Sequence, residues 1–228
     1  MTKISDNLQI IGAKVKNFSE LYERPLSEVK LLAVSKRHPD SAIQEAYQAG
    51  QRAFGENYVQ ELLDKAKALE TLDIEWHFIG PLQSNKTRKI AEVASWVHTV
   101  DRLKIAQRLS DQRPENLPPL SICVQLNISG EASKSGIQAD QLEDLLSAIS
   151  KLPRLKLRGL MVIPAPQSNL EKQRAVFAKV RMLKDKLNAN GYSLDTLSMG
   201  MTGDMEAAIA EGATIVRIGT AIFGTREI

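Results

Sequence analysis

The chain has 228 residues, 43% of them hydrophobic and 25% charged, with a formal net charge of +3. That is an ordinary globular composition, long enough to bury a core without disulfides or metals, and it excludes fibrous and disordered classes. The basic stretches at 86–89 and 154–158 carry no interleaved aromatics, and no segment reaches the length of an apolar membrane span, so neither nucleic acid nor membrane is an expected partner.

In chain order, Ile4, Leu8, Ile11, Val15 and Phe18 recur at helical spacing, which predicts an amphipathic N-terminal helix rather than a signal peptide. Apolar or β-branched runs at 31–35, 52–54, 76–79, 96–100, 121–126, 157–161, 196–199 and 214–218 read as strands. Helical patterns at 41–49, 59–69, 83–94, 103–110, 139–150, 170–189 and 205–210 alternate with them. Alternation of this kind implies parallel strands joined by crossovers, and strands that are nearly all apolar suit a sheet buried on both faces. No early strand is followed by a GxGxxG turn, which favours a closed barrel over an open doubly wound sheet. The expectation is one α/β domain over 1–228, a (β/α)8 TIM-type barrel with an extra N-terminal helix. Pro39 and Asp40 open the first crossover helix, Gly50 ends it, and Asp101 is placed to cap the helix near Leu103. The single cysteine, Cys123, sits in the run Ile122-Cys123-Val124 and reads as a small core residue in a reducing compartment, with the cytoplasm as the expected location.

In such barrels the reactive groups stand at the C-terminal ends of strands, with phosphate sites often after strands seven and eight. Three places satisfy that rule. In Leu31-Leu32-Ala33-Val34-Ser35-Lys36 the two-residue period puts Leu32, Val34 and Lys36 on one face, with the amine at the barrel mouth. Desolvation there lowers a lysine pKa and frees the amine to attack an aldehyde; a lysine that merely reaches out into water is the plain alternative. The run Ser198-Met199-Gly200-Met201, followed by Thr202-Gly203-Asp204 opening a helix, offers an anion site, with Asp204 as the cap; a simple strand–helix turn is the alternative. In the strand at 214–218, Arg217 interrupts apolar residues, and a buried arginine needs an anion or acceptor, either a ligand or an internal partner such as Glu56 or Glu75. Gly219 and Thr220 then add donors at that strand's end. Together the three places suit a phosphorylated aldehyde. His38, His77 and His98 lie far apart without ligand spacing, and no metal site is expected.

The segments LLAVSKRHP, FGENYVQE, WHFIGPLQSNK, NISGEASKSGI, LRGLMVIP, LSMGM with GDMEAAI, and VRIGTAIFG span nearly the whole chain. In their order and spacing they resemble the pyridoxal phosphate homeostasis proteins, which are similar to the barrel domain of bacterial alanine racemase. The resemblance implies a one-domain barrel that holds pyridoxal 5′-phosphate (PLP) as an aldimine on Lys36 and buffers or delivers it, without a well-established reaction; a monomer, with PLP-dependent apoenzymes as recipients, is the accompanying expectation. It further implies that Ser198 with the backbone of Met199 binds the phosphate, that Gly219 and Thr220 complete the cradle, and that Arg217 faces the pyridine nitrogen. Asn57 and Met161 would line the ring pocket, and Lys134 would be a secondary PLP acceptor. Gly203 departs from the family, which more often has an acidic or small polar residue there.

Two other readings stand beside the carrier: a PLP-dependent amino-acid racemase or decarboxylase, and an aldolase acting through Lys36. An arginine at the ring nitrogen keeps it unprotonated and weakens the electron sink. Racemases compensate with an acid/base group from a second domain, and only eight residues follow Thr220. Both features favour the carrier.

Overall fold

The computed structural model describes residues 3–128 and 135–225. The N-terminal pattern forms α1 (Ile4–Leu21), which buries Leu8, Ile11 and Val15; burial of each such side chain is worth about 1.5–3 kcal/mol. Eight strands follow: β1 (Lys30–Val34), β2 (Ala53–Glu56), β3 (Glu75–Phe78), β4 (Trp96–Val100), β5 (Leu120–Gln125), β6 (Leu155–Met161), β7 (Thr196–Ser198) and β8 (Ile215–Ile218). The intervening helices are α2 (Asp40–Gln48), α3 (Val59–Ala68), α4 (Thr87–Val93), α5 (Leu103–Gln112), α6 (Leu142–Ile149), α7 (Leu170–Ala189) and α8 (Met205–Ala210), and a short α9 (Thr220–Phe223) follows β8. The strands pair in parallel in chain order and β8 pairs back onto β1, closing the barrel. This is the (β/α)8 architecture the alternation predicts.

Differences from the sequence expectation are local. The helix expected over 83–94 begins as a 3-10 turn, Ser84–Lys86, with an i to i+3 bond from Lys86 N–H to Gln83 O at 3.0 Å, before α4. Asp101 does not cap α5: Arg102 holds the cap position, and the Asp101 carboxylate instead accepts from Arg102 Nη1 at 2.7 Å. A charged neighbour outcompetes the helix N–H groups for that acceptor. α1 packs on α2, α8 and α9, so it flanks the barrel, and Asn7 Nδ2 donates to Ile222 O at 2.8 Å.

Alternation along each strand separates two cores. Ala33, Phe54, Phe78, Ile122, Leu160 and Val216 face the helices. Leu32, Val34, Ala53, Ile79, Trp96, Cys123, Met161 and Ile215 fill the barrel interior. That interior is not wholly apolar: His77, His98, Ser198 and Arg217 are buried in phase with it. Burial pushes the Cys123 thiol up to about 12, consistent with an inert core residue.

Candidate functional site

The turn after β1 is fixed from behind by an ionic clamp. Glu56 at the end of β2 is fully buried and accepts from Ser35 Oγ and Lys65 Nζ, both at 2.7 Å. Lys65 also donates to Ser35 O at 2.9 Å and to Glu61 at 3.2 Å. Burial pushes the Glu56 pKa up, with Lys65 opposing it. Glu61 in turn accepts from the backbone N–H of Arg37 at 2.7 Å, holding Arg37 at φ 62°, a left-handed conformation that costs a non-glycine residue on the order of 1 kcal/mol. The clamp turns the chain sharply after Lys36, in the register that keeps Lys36 on the Val34 face.

The other strand ends contribute in the same way. Asn57 follows β2, and a Cβ on Gly80 would lie 1.9 Å from Asn57 O, so only glycine lets these two strand ends approach. Asn57 Oδ1 is buried without a hydrogen-bond partner among the described residues. After β7, Gly200 takes φ +95°, and a Cβ there would meet Ala208 Cβ at 2.5 Å. Asp204 occupies the cap position of α8 but does not cap it; its carboxylate reaches back to Met201 N–H at 2.6 Å and ties the loop. Arg217 on β8 donates to Ser198 Oγ and to Val162 O, each at 2.9 Å. Neither Glu56 nor Glu75 pairs with it, because they are held by Lys65 and by Lys30 with His77. Burial lowers the Arg217 pKa to about 10, with Asp204 acting against it.

These elements enclose a cavity of about 190 Å³ at the C-terminal mouth of the barrel. Val34, Ile79, Ile163 and Met201 give it apolar walls, while Lys36, Asn57, Thr202, Arg217, Gly219 and Thr220 give it polar ones. A larger cavity, about 590 Å³, lies at the opposite face among Arg24, Lys30 and Arg158. Its cations are already paired, Arg24 with Glu28 at 3.2 Å, Lys30 with Glu75 at 2.7 Å and Arg158 with Asp195 at 2.9 Å. The upper cavity is therefore the candidate site, at the barrel face where active groups stand. Among the described residues no cluster of three or more potential metal ligands occurs.

The structure brings together five expected residues, Lys36, Asn57, Arg217, Gly219 and Thr220. Three others lie outside the cavity lining. Ser198 is wholly buried below it, bonded to His98 Nδ1 at 2.7 Å as well as to Arg217. The Met199 N–H is taken by Ile215 O at 3.1 Å and its side chain lies in the outer core. Met161 packs in the barrel interior. The cavity instead meets the loop three to four residues on, at Met201 and Thr202, and gains Ile163 after β6. The two-residue period was the available signal: it places Ser198 inside, level with the strand, and leaves the cavity lining to the loop that follows. Lys134 lies outside the described residues.

A closed parallel barrel with a lysine after β1 and polar loops after β7 and β8 defines a class, and the model of the alanine racemase N-terminal domain matches residues 7–227. The pyridoxal phosphate homeostasis protein of Pseudomonas aeruginosa PAO1 is 55% identical over 227 residues, covering 100% of this chain and 97% of that protein. The chain belongs to the alanine racemase N-terminal domain family and, within it, to the pyridoxal phosphate homeostasis proteins. The structure of PipY from Synechococcus elongatus PCC7942 with PLP bound superposes with a TM-score of 0.80 at 39% identity, covering 92% of this chain and 99% of PipY. Alanine racemase of Clostridium difficile 630 shares the fold, with a TM-score of 0.75 at 14% identity over 96% of this chain and 57% of the racemase. Among the described residues no helix is long and apolar enough to cross a membrane.

Proposed function

We propose that this chain binds PLP in the upper cavity, bonded reversibly through its aldehyde carbon to Lys36, and serves PLP homeostasis without turning over an amino acid. The observation that carries this reading is the convergence on one cavity of Lys36, of Arg217, which forms no ion pair with a carboxylate among the described residues, and of the donors of Thr202, Gly219 and Thr220. The names of the relatives and the PLP-bound structure of PipY support it.

The residues suit the group. Bound PLP supplies an aldehyde for an amine and a ring that can accept electrons. Lys36 provides the amine, from a turn held rigid by the Glu56–Lys65 clamp. Ile163 and Met201, both exposed at the mouth, offer apolar surface to an aromatic ring. Asn57 Oδ1 is an acceptor still in want of a donor. Arg217 would face the ring nitrogen and disfavour a second positive charge there, which would keep the nitrogen unprotonated. The Thr202 and Thr220 hydroxyls and the N–H groups of Thr220 and Ala221, which precede the bonded Ile222 and Phe223 N–H groups, would hold the phosphate; charge-assisted bonds of this kind contribute about 1.5–3 kcal/mol each.

Storage or delivery is favoured over racemase or decarboxylase chemistry because Arg217 suppresses the charge on the ring that such chemistry uses. Lys36 and Arg217 are also the titratable side chains among the described lining residues. A cytoplasmic monomer that hands PLP to apoenzymes completes the same reading. Spectroscopic titration with PLP and with pyridoxal tests it. Two charge-assisted bonds imply that pyridoxal binds at least about 100-fold more weakly. Equal affinities would show that the phosphate does not sit on these donors.

A further inference from the structure

A hydrogen-bond chain runs through the barrel interior from its lower rim to the floor of the upper cavity. Glu75 Oε1, at the start of β3, accepts from Lys30 Nζ at 2.7 Å and meets His77 Nε2 at 2.6 Å. His77 Nδ1 meets His98 Nε2 at 2.8 Å, and His98 Nδ1 meets Ser198 Oγ at 2.7 Å. Ser198 Oγ accepts from Arg217 Nη1 at 2.9 Å. The four inner members are buried, whereas Glu75 and Lys30 are part-exposed.

With both rings neutral, the direction of this chain is set from its Glu75 end. A guanidinium only donates and an ionised carboxylate only accepts. Glu75 can only accept, so His77 offers it Nε2–H and accepts from His98 at Nδ1. His98 Nδ1 in turn accepts the Ser198 O–H, whose lone pairs are left to Arg217. His98 must then carry its proton on Nε2 and donate it to His77 Nδ1, and His77 carries its own on Nε2 for Glu75. One arrangement of two neutral rings satisfies every atom. The surroundings agree. Burial lowers both histidine pKa values, against Glu75 at His77 and together with His77, Arg217 and Lys30 at His98. The Trp96 ring stacks on His77. The His77 bond, helped by Lys30, holds Glu75 at about 2, so it stays charged.

We infer that Glu75, His77 and His98 are positioning residues for Arg217, acting through the hydrogen-bond order that Glu75 sets as the terminal acceptor. The chain fixes Ser198 as an acceptor and so locks the guanidinium in place at the cavity floor; hydrogen bonds aligned in one direction polarise and strengthen each other. The acceptor at the lower rim thereby sets the hydrogen-bond order at the upper site. The consequence for the ligand rests on the PLP reading; the locked state of Arg217 does not.

Long-range ¹H–¹⁵N spectra of ligand-free protein decide this. In the wild type both rings should show the neutral Nε2–H tautomer between pH 6 and 8, and the Arg217 Nη–H signals should be resolved. Glu75→Gln keeps an acceptor and should preserve both signatures. Glu75→Leu removes it and should give mixed tautomers at His77 and His98 and broadened Arg217 signals. An Nδ1–H tautomer or a protonated ring in the wild type at pH 7, or unaltered Arg217 signals in Glu75→Leu, would overturn the inference. With PLP, Glu75→Leu should bind about fivefold more weakly and Glu75→Gln within about twofold, the first being one hydrogen bond's worth. Wild type that bound no PLP would sink the cofactor reading alone, since the ligand-free spectra still decide the positioning role.

Discussion

His77 and His98 are buried as neutral rings, so stability must depend on pH. Their folded pKa values lie below the ordinary value near 6.5. The stability they contribute is present above that pH and is lost as pH falls toward the lowered folded values. The loss approaches about 1.4 kcal/mol per pH unit for each ring. Glu75, held at about 2, adds stability above its ordinary value of 4.5 that is lost as pH falls toward 2. Glu56 has the opposite sign: its raised pKa contributes stability at low pH that is lost as pH rises through the folded value. Denaturant unfolding should show a clear fall in stability from pH 7.5 to 5.5. His98→Gln should be less stable at pH 7.5 and show a shallower fall; an unchanged slope would assign the acid sensitivity to other groups. That Lys36, Arg217, Gly219 and Thr220 share one cavity was legible in the sequence because each stands at or near a strand's C-terminal end, whereas Asn57 came from the family resemblance alone. Ser198 and Met199 lie outside the cavity lining because β7 ends at Ser198, which leaves Ser198 inside the barrel. The histidine pair was invisible, since 21 residues separate members that meet only across β3 and β4.

Among the elements, the turn from β7 into α8 depends most on a single residue. Gly200→Ala would put a methyl 2.5 Å from Ala208 Cβ at a φ of +95°. Strain and displacement of α8 should cost about 1–3 kcal/mol, and the displaced Met201–Thr202 loop should weaken PLP binding as well. Thermal denaturation and spectral titration of the same variant check both; a loss of stability with intact affinity would detach this loop from the site. In α1, Ile11→Ala should cost about 2–5 kcal/mol, because Ile11 is buried against the outer core. The amphipathic spacing of α1, the run at β4 and the helices α7 and α8 were readable directly, since each is periodic or sharply bounded. Helix starts at α4 and α6 were not, because a 3-10 turn at 84–86 and a polar turn at 138–141 share helical composition without continuing its hydrogen bonds.

At the scale of the whole molecule, the barrel brings a lysine from β1 and donors from β7 and β8 to one mouth because β8 closes onto β1. Exchange at the α-carbon, with and without Arg217, then tests the carrier reading against the enzyme reading. PLP-loaded wild type should exchange the α-proton of common amino acids no faster than free PLP, as followed by NMR in deuterated water. Arg217→Glu, where it folds and binds PLP, should gain slow exchange as the ring nitrogen becomes protonated. Rapid exchange by the wild type that is lost in Lys36→Ala would contradict the carrier reading. The most direct test of the central claim is borohydride reduction of the PLP-loaded protein followed by peptide mapping. The account predicts one pyridoxyl adduct, on Lys36, absent from Lys36→Ala. An adduct found mainly on Lys134 or another lysine would contradict it.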